Sequence, residues 1–188
     1  MRIRDEQVLS HRRYRLSEYA FEYRRGDGTW QSQNREVFDR KHAAAVLPID
    51  PVRGTVILIR QFRLPPFLTG YRKPLVEVIA GALDGDEPET CARREAVEEA
   101  GVGIYDLKEV CHCFMSPGAV TERMHLYVAH YSAESRTADG GGLADEGEDI
   151  EVLELPLGDA VAMIARGEIC DAKTIILLQY AALNALTK

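Results

Sequence analysis

Three near-continuous apolar runs, Ala43 to Ile49, Thr55 to Ile59 and Leu75 to Ala80, constrain this chain more than any other feature. None alternates with polar residues, as a strand with one wet face must. They predict strands covered on both faces, which calls for a sheet flanked by helices. The strongest helix signal is Glu87 to Ala100, with Asp86 or Glu87 at its start, Pro88 in its first turn and Gly101 just past its end. Further strands are expected at Leu107 to Met115, Met124 to Tyr131 and Ile150 to Leu155, and helices at Asp159 to Ala165 and Asp171 to Leu186. The expected fold class is α/β (α+β) with a mixed sheet.

Residues Tyr14 to Phe38 read differently. Two alternating stretches rich in Tyr, Phe and Trp flank Arg25-Gly26-Asp27-Gly28, where Asp-Gly suits the positive φ angles of a tight hairpin turn. An isolated two-stranded ribbon is marginal in water, so an antiparallel β-hairpin here is expected to lean on the main domain or on a second subunit. The chain is therefore divided into a hairpin dimerisation arm, residues 1–42, and a main domain, residues 43–188. Between Ser132 and Asp149 lies a segment with few large apolar residues, containing Gly140-Gly141-Gly142 and then Asp145, Glu146, Glu148 and Asp149. It reads as a long mobile loop, and loops of that length in compact domains are usually either functional lids or plain disorder.

Composition excludes several classes. Hydrophobic residues at 46% and charged residues at 28% of 188 match a globular chain. With 23 Lys plus Arg against 30 Asp plus Glu, the balance of −7 does not suit a protein that neutralises nucleic-acid phosphates. The apolar runs fall short of the roughly 18 to 20 residues that span a bilayer, and the first residues lack a secretory apolar region, so a cytoplasmic location is expected. Cys91, Cys111, Cys113 and Cys170 show no repeated CxxC spacing and are read as reduced thiols. Cys111-His112-Cys113 is read as packing rather than as a metal site, and His125 and His130, in an apolar strand, as hydrogen-bonded and packed.

Chemistry concentrates in Gly81-Ala82-Leu83-Asp84-Gly85-Asp86-Glu87 and Arg94-Glu95-Ala96-Val97-Glu98-Glu99-Ala100-Gly101-Val102. At about 100° per residue Glu95, Glu98 and Glu99 share one helix face, with Ala92, Ala96 and Ala100 beside them to press on a sheet. Like charges three and four apart cost a helix a few tenths of a kcal/mol per pair, and a divalent cation with hard oxygen ligands, Mg²⁺ or Mn²⁺, would neutralise them. Arg94 is placed to tie the glycine loop to the helix. Taken alone, the acidic face is most simply a solvated one.

The glycine loop, the Arg-Glu pair, the double Glu and the closing Gly together resemble the Nudix box of the Nudix hydrolases. That resemblance implies an α/β/α sandwich with a mixed sheet, a bound divalent metal, and hydrolysis of nucleoside diphosphates linked to another moiety. It is closest to the bacterial GDP-mannose pyrophosphatase branch, through Ile59-Arg60-Gln61-Phe62-Arg63, Asp86-Glu87-Pro88-Glu89, Met115-Ser116-Pro117-Gly118, Gly140-Gly141-Gly142 and Glu148-Asp149-Ile150-Glu151-Val152-Leu153-Glu154-Leu155. The short spacer Pro88 to Arg93 is shared with that branch, which usually carries a basic residue where Asn34 stands here. The resemblance implies that the Ala80 carbonyl, Glu95 and Glu99 bind metal, with Glu98 as a secondary ligand. Glu148 would be a further ligand or the group that activates water. It places Arg63 on the diphosphate, Tyr14 on the nucleobase, Glu122 on the sugar side and Lys173 at the far end of the substrate. Arg35 and Glu36 would come from the partner subunit of a homodimer with shared sites. The expected reaction converts GDP-mannose to GMP and mannose 1-phosphate. ADP-ribose pyrophosphatase, giving AMP and ribose 5-phosphate, and a non-catalytic nucleotide-sugar-binding Nudix protein are the alternatives.

Overall fold

A computed structural model of the chain describes residues 1–143 and 147–186. It divides into two compact units, Met1–His42 with Phe114–Arg123, and Ala43–Cys113 with Met124 onward.

The first unit is a three-stranded antiparallel sheet in the order β1-β2-β3, formed by β1 (Arg2–His11), β2 (Arg15–Arg24) and β3 (Trp30–Asp39). The expected hairpin is β2 and β3, paired in unbroken register from Arg15 with Asp39 to Arg24 with Trp30. Its turn lies where Asp-Gly places it but is longer than a tight two-residue turn: of the pair only Gly28 has a positive φ, +86°, the Arg25 N–H donates to the Thr29 carbonyl at 2.8 Å, and the Asp27 carboxylate accepts the Thr29 N–H at 2.9 Å. Strand β1 was missed because all ten of its residues are exposed, so it carries no burial period to read. It is held by backbone pairing with β2, an Arg4–Glu22 ion pair at 2.6 Å and the Tyr19 hydroxyl donating to Glu6 at 2.8 Å. Residues Phe114–Arg123, expected within the main domain, join this unit through Phe38 N–H to the Ala119 carbonyl at 2.8 Å and the Thr121 hydroxyl to Asp39 at 2.8 Å.

The second unit is a mixed sheet with helices. Its strands are β4 (Ala43–Asp50), β5 (Thr55–Gln61), β6 (Leu75–Glu77), β7 (Ile79–Ala82), β8 (Tyr105–Phe114), β9 (Arg123–His130) and β10 (Glu151–Pro156). The main order is β10-β5-β4-β9-β8, with β4 and β9 parallel. Strand β4 is buried at all eight positions, as its apolar run requires. The third run is not one strand. β4 and β5 share only two paired positions beside their turn, Ile49 with Val56 and Asp50 with Thr55, and then splay apart. β7 pairs with β4 and β6 with β5 in the gap. Between them the Val78 N–H leaves the ladder and donates to the Thr174 hydroxyl at 2.8 Å.

The helices are α1 (Leu64–Leu68), α2 (Pro88–Ala100), α3 (Leu157–Ala165) and α4 (Ala172–Leu183). Helix α1 was not anticipated, because its Leu-Pro-Pro-Phe-Leu sequence is a single turn with no apolar period. Helix α2 presents Cys91, Ala92, Ala96 and Ala100 to a core that includes Ile57, Ile59, Ile79 and Tyr127. Small side chains on this face let the helix axis approach the sheet closely. Gly101 ends α2 at φ +64°, donating to the Val97 carbonyl at 2.9 Å as a left-handed helix stop does.

Candidate active site

The carboxylates of α2 do not form the solvated face that their spacing alone allows. Glu95 and Glu99, one turn apart, lie on the buried stripe with Cys91, Ala92 and Ala96, while Glu98 turns outward. Glu99 is 1% exposed, and its Oε2 accepts the Ala80 N–H of β7 at 3.0 Å. Glu95 lies over Gly81, where a Cβ would sit 1.8 Å from its Oε1, so any larger residue there would push the carboxylate aside. Burial is the main cause that pushes Glu95 up to about 7, opposed by Arg94 and reinforced by Glu98 and Glu148. Burial likewise pushes Glu99 up to about 8, against the Ala80 hydrogen bond and Arg63 but with Glu95 and Glu148.

Arg94 ties loop to helix through Asp86 at 3.3 Å, Glu95 at 2.9 Å, Glu98 at 2.7 Å and the Ala82 carbonyl at 3.4 Å. The expected secondary ligand Glu98 is thereby held by Arg94. Glu87 is the N-cap residue by its backbone and makes no side-chain cap.

Glu148 reaches this cluster through the glycine run. The sequence predicts a mobile loop here, whereas the described glycines dock on the end of α2. Gly141 and Gly142 donate to the carbonyls of Glu99 and Glu98 at 2.9 and 3.2 Å, satisfying acceptors that a helix end leaves open. Gly140, Gly141 and Gly142 have φ of +75°, +116° and +78°, and a Cβ on Gly140 would lie 2.5 Å from the Glu99 carbonyl. Glu148 Oε2 then accepts the Leu143 N–H at 2.9 Å. The expectations at Asp145 and Glu146 lie outside the described residues.

A second charged group lies behind the cluster. Arg63 donates through Nε to Glu77 Oε2 at 2.7 Å, and Lys173 Nζ reaches Glu77 Oε1 at 2.6 Å and Asp171 Oδ2 at 3.0 Å. Burial opposes the charge on Arg63, yet Glu77, Glu99 and Asp171 keep it above its ordinary value. Burial also opposes Glu77, but Lys173 and Arg63 hold its carboxyl below the ordinary 4.5. Lys173, whose first-turn position allowed an exposed side chain, is only 6% exposed. Sequence reading missed Glu77 and Asp171. The available signal was Glu77 itself, a lone carboxylate in a strand run covered on both faces, which must be paired where it is buried. Asp171 caps α4 by accepting the Thr174 N–H at 3.1 Å.

The remaining expected residues belong to the first unit. Tyr14 packs edge-on against Phe38 at 5.7 Å between centroids, with the Arg13 and Arg40 guanidinium groups each 5.7 Å from its ring. Arg35 and Glu36 are exposed on β3, opposite Tyr19 and Glu18. Glu122 is buried, with Arg40 Nε 3.2 Å away.

Glu95 and Glu99 are buried carboxylates beside Ala80 and Gly81, with Glu148 adding negative charge to both. Such a set fits a hard divalent cation, which removes the repulsion. The NUDIX domain profile matches residues 39–178. The chain belongs to the Nudix family. The preceding segment, residues 1–38, matches the profile described as the GDP-mannose pyrophosphatase NudK N-terminal domain. Among Nudix relatives, a GDP-mannose pyrophosphatase of Klebsiella pneumoniae is 46% identical over 93% of this chain and 88% of its own length. One of Yersinia enterocolitica is 45% identical over 99% and 96%, and one of Escherichia coli O1:K1 / APEC is 42% identical over 96% and 94%. A solved structure titled "Crystal structure of ADP compounds hydrolase" superposes with a TM-score of 0.72 at 21% identity, covering 98% of this chain and 94% of that one, and so shares its fold.

Proposed function

We propose that this Nudix chain hydrolyses the diphosphate of a nucleotide sugar, GDP-mannose, to GMP and mannose 1-phosphate, using Mg²⁺. The observation that carries this reading is the pair Glu95 and Glu99, buried against Ala80 and Gly81 with Glu148 and Arg63 in electrostatic reach. The names of relatives that share 42 to 46% of its residues support the choice of substrate.

Glu95, Glu99, the Ala80 carbonyl and Glu148 would hold Mg²⁺, with Mn²⁺ as a substitute and Glu98 as the secondary ligand. When bound, the cation supplies Lewis-acid polarisation of the diphosphate and makes water more acidic. Glu148 takes the proton as water attacks phosphorus, and the P–O bond to the leaving phosphate breaks. Arg63 donates through Nε to Glu77, and among the described residues its terminal nitrogens make no hydrogen bond, which suits them to meet the spreading phosphoryl charge. Lys173 donates to Glu77 and forms an ion pair with Asp171, and its ammonium faces the far end of the substrate. Tyr14 takes the nucleobase and Glu122 the sugar side.

Arg35 and Glu36 act in the site of the other subunit of a homodimer. Exposure of all of β1 supports such a dimer, as does the Glu36–Glu18 like-charge pair across β2 and β3, which is unfavourable in an isolated sheet. Among the described residues no helix is long and apolar enough to cross a membrane. All four cysteines are free thiols, which fits a cytoplasmic setting. A hydrolysis panel of GDP-mannose, ADP-ribose and other nucleotide sugars with Mg²⁺, products resolved by chromatography, tests the reading. GMP and mannose 1-phosphate as the fastest-formed products support it; faster turnover of ADP-ribose, or no turnover of either, overturns it.

A further inference from the structure

Three side chains on β8 and β9, none of them used in the proposed hydrolysis, converge on one point. Glu109 Oε1 lies 3.3 Å from His125 Nδ1 and 3.5 Å from His112 Nδ1. One ligand atom from each of the three residues lies within 4.8 Å of the others, and the two imidazole rings stand 5.5 Å apart at 45°. We propose that Glu109, His112 and His125 bind a transition-metal cation of the Zn²⁺ class, which clips the edge strand β8 to β9.

The distances carry the argument. Glu109 and His125 are within hydrogen-bond reach at 3.3 Å, a longer contact than the about 2.7 to 2.9 Å of a charge-assisted N–H to carboxylate bond. With metal–ligand bonds of about 2.0 to 2.1 Å, the edge of a tetrahedral site is about 3.3 to 3.5 Å, which matches both Glu109 contacts, and the two imidazole ligand atoms lie within 4.8 Å of each other. The strand is also irregular at this place. Glu109 and His112, three residues apart, belong on opposite faces of a regular strand, yet both meet His125, and the consecutive Val110 and Cys111 are both half-buried. Local irregularity of this kind re-aims a side chain.

The donor set decides which ion. Two imidazoles and one carboxylate suit Zn²⁺, Co²⁺ or Ni²⁺, whereas Mg²⁺ takes oxygen, so this site and the carboxylate site select different metals. Three protein ligands leave a fourth position for water. Cys111 and Cys113, which drew attention in the sequence, take no part; their neighbour His112 does. An ion bound only by the folded chain adds to its stability.

The test uses the full-length protein in excess Mg²⁺, titrated with Co²⁺ and then Zn²⁺. One equivalent of Co²⁺ should give the intense visible band of a four-coordinate ion, which an all-oxygen octahedral site does not produce, and Zn²⁺ should abolish it. His112→Ala, His125→Ala and Glu109→Gln should each weaken Zn²⁺ binding by at least about tenfold, since even loss of a supporting partner costs a site that much. At a hundredfold excess over its Kd, Zn²⁺ should raise the unfolding midpoint by about 5 °C or more, and at the same concentration raise it less in each variant. Circular dichroism before metal addition checks each variant's fold; Glu109 and His112 are exposed, so their substitution leaves the core intact. Absence of the visible band, or equal midpoint shifts in wild type and His112→Ala, overturns the proposal.

Discussion

The Glu77 carboxylate and the Lys173 ammonium lie 2.6 Å apart, both buried, although 96 residues separate them in the chain. The pair joins β6 to α4, and its second carboxylate oxygen holds Arg63. Removing one partner of a buried ion pair typically costs about 3 to 5 kcal/mol, because the other is left uncompensated. Glu77→Gln should therefore lower the denaturant midpoint by an amount equivalent to about 3 kcal/mol with an unchanged m value. A loss below about 1 kcal/mol, the range of a surface pair, would remove Glu77 from its central place in this network.

The same carboxylate sets an acid limit. Its folded pKa lies below the ordinary 4.5, so its contribution is complete above the unfolded value and is lost as pH falls through the folded one. In thermal melts from pH 7 to pH 3, the gap between wild type and Glu77→Gln should stay constant down to about pH 5 and narrow below the unfolded pKa. A gap that instead widens on acidification contradicts the assignment.

Glu95→Gln and Glu99→Gln should fold and lose about a hundredfold or more in kcat/KM with Mg²⁺, as removal of essential groups does. Gly81→Ala provides a geometric counterpart. Its new methyl group must displace the Glu95 carboxylate that lies 1.8 Å from the Cβ position, so hydrolysis should fall without either carboxylate being changed. Activity within about twofold of wild type in all three would sink the site.

For Glu148 the kinetic split is informative. If it accepts the proton of the attacking water, Glu148→Gln should lower kcat far more than it raises KM. A pure rise in KM reassigns it to substrate binding.

The proposed sharing of sites between subunits is tested by mixing Arg35→Ala with Glu99→Gln, each expected to be inactive alone; a fully active Arg35→Ala removes Arg35 from the site. An exchanged dimer places both lesions in one site and none in the other, so activity should partly return. Verified heterodimers that remain inactive place the complete site within one chain.

The residues themselves carried helix α2, its stop at Gly101, the Asp27-Gly28 turn and the carboxylate spacing, because each depends on neighbours within one turn of chain. The acidic face was legible for the same reason, since Glu95 and Glu99 are one helical turn apart whatever the tertiary setting. Strand β1 was not, because an exposed strand has no burial pattern. Nor was the split of Leu75 to Ala80 into two strands, which arises where β4 and β5 diverge and each needs a separate partner. Tertiary structure alone decided that Glu95 and Glu99 face inward, that Gly140 to Gly142 close the end of α2, and that Lys173 meets Glu77. Each of these is a choice of face or partner across a long loop. Local periodicity specifies which residues share a face, but only packing decides what that face meets.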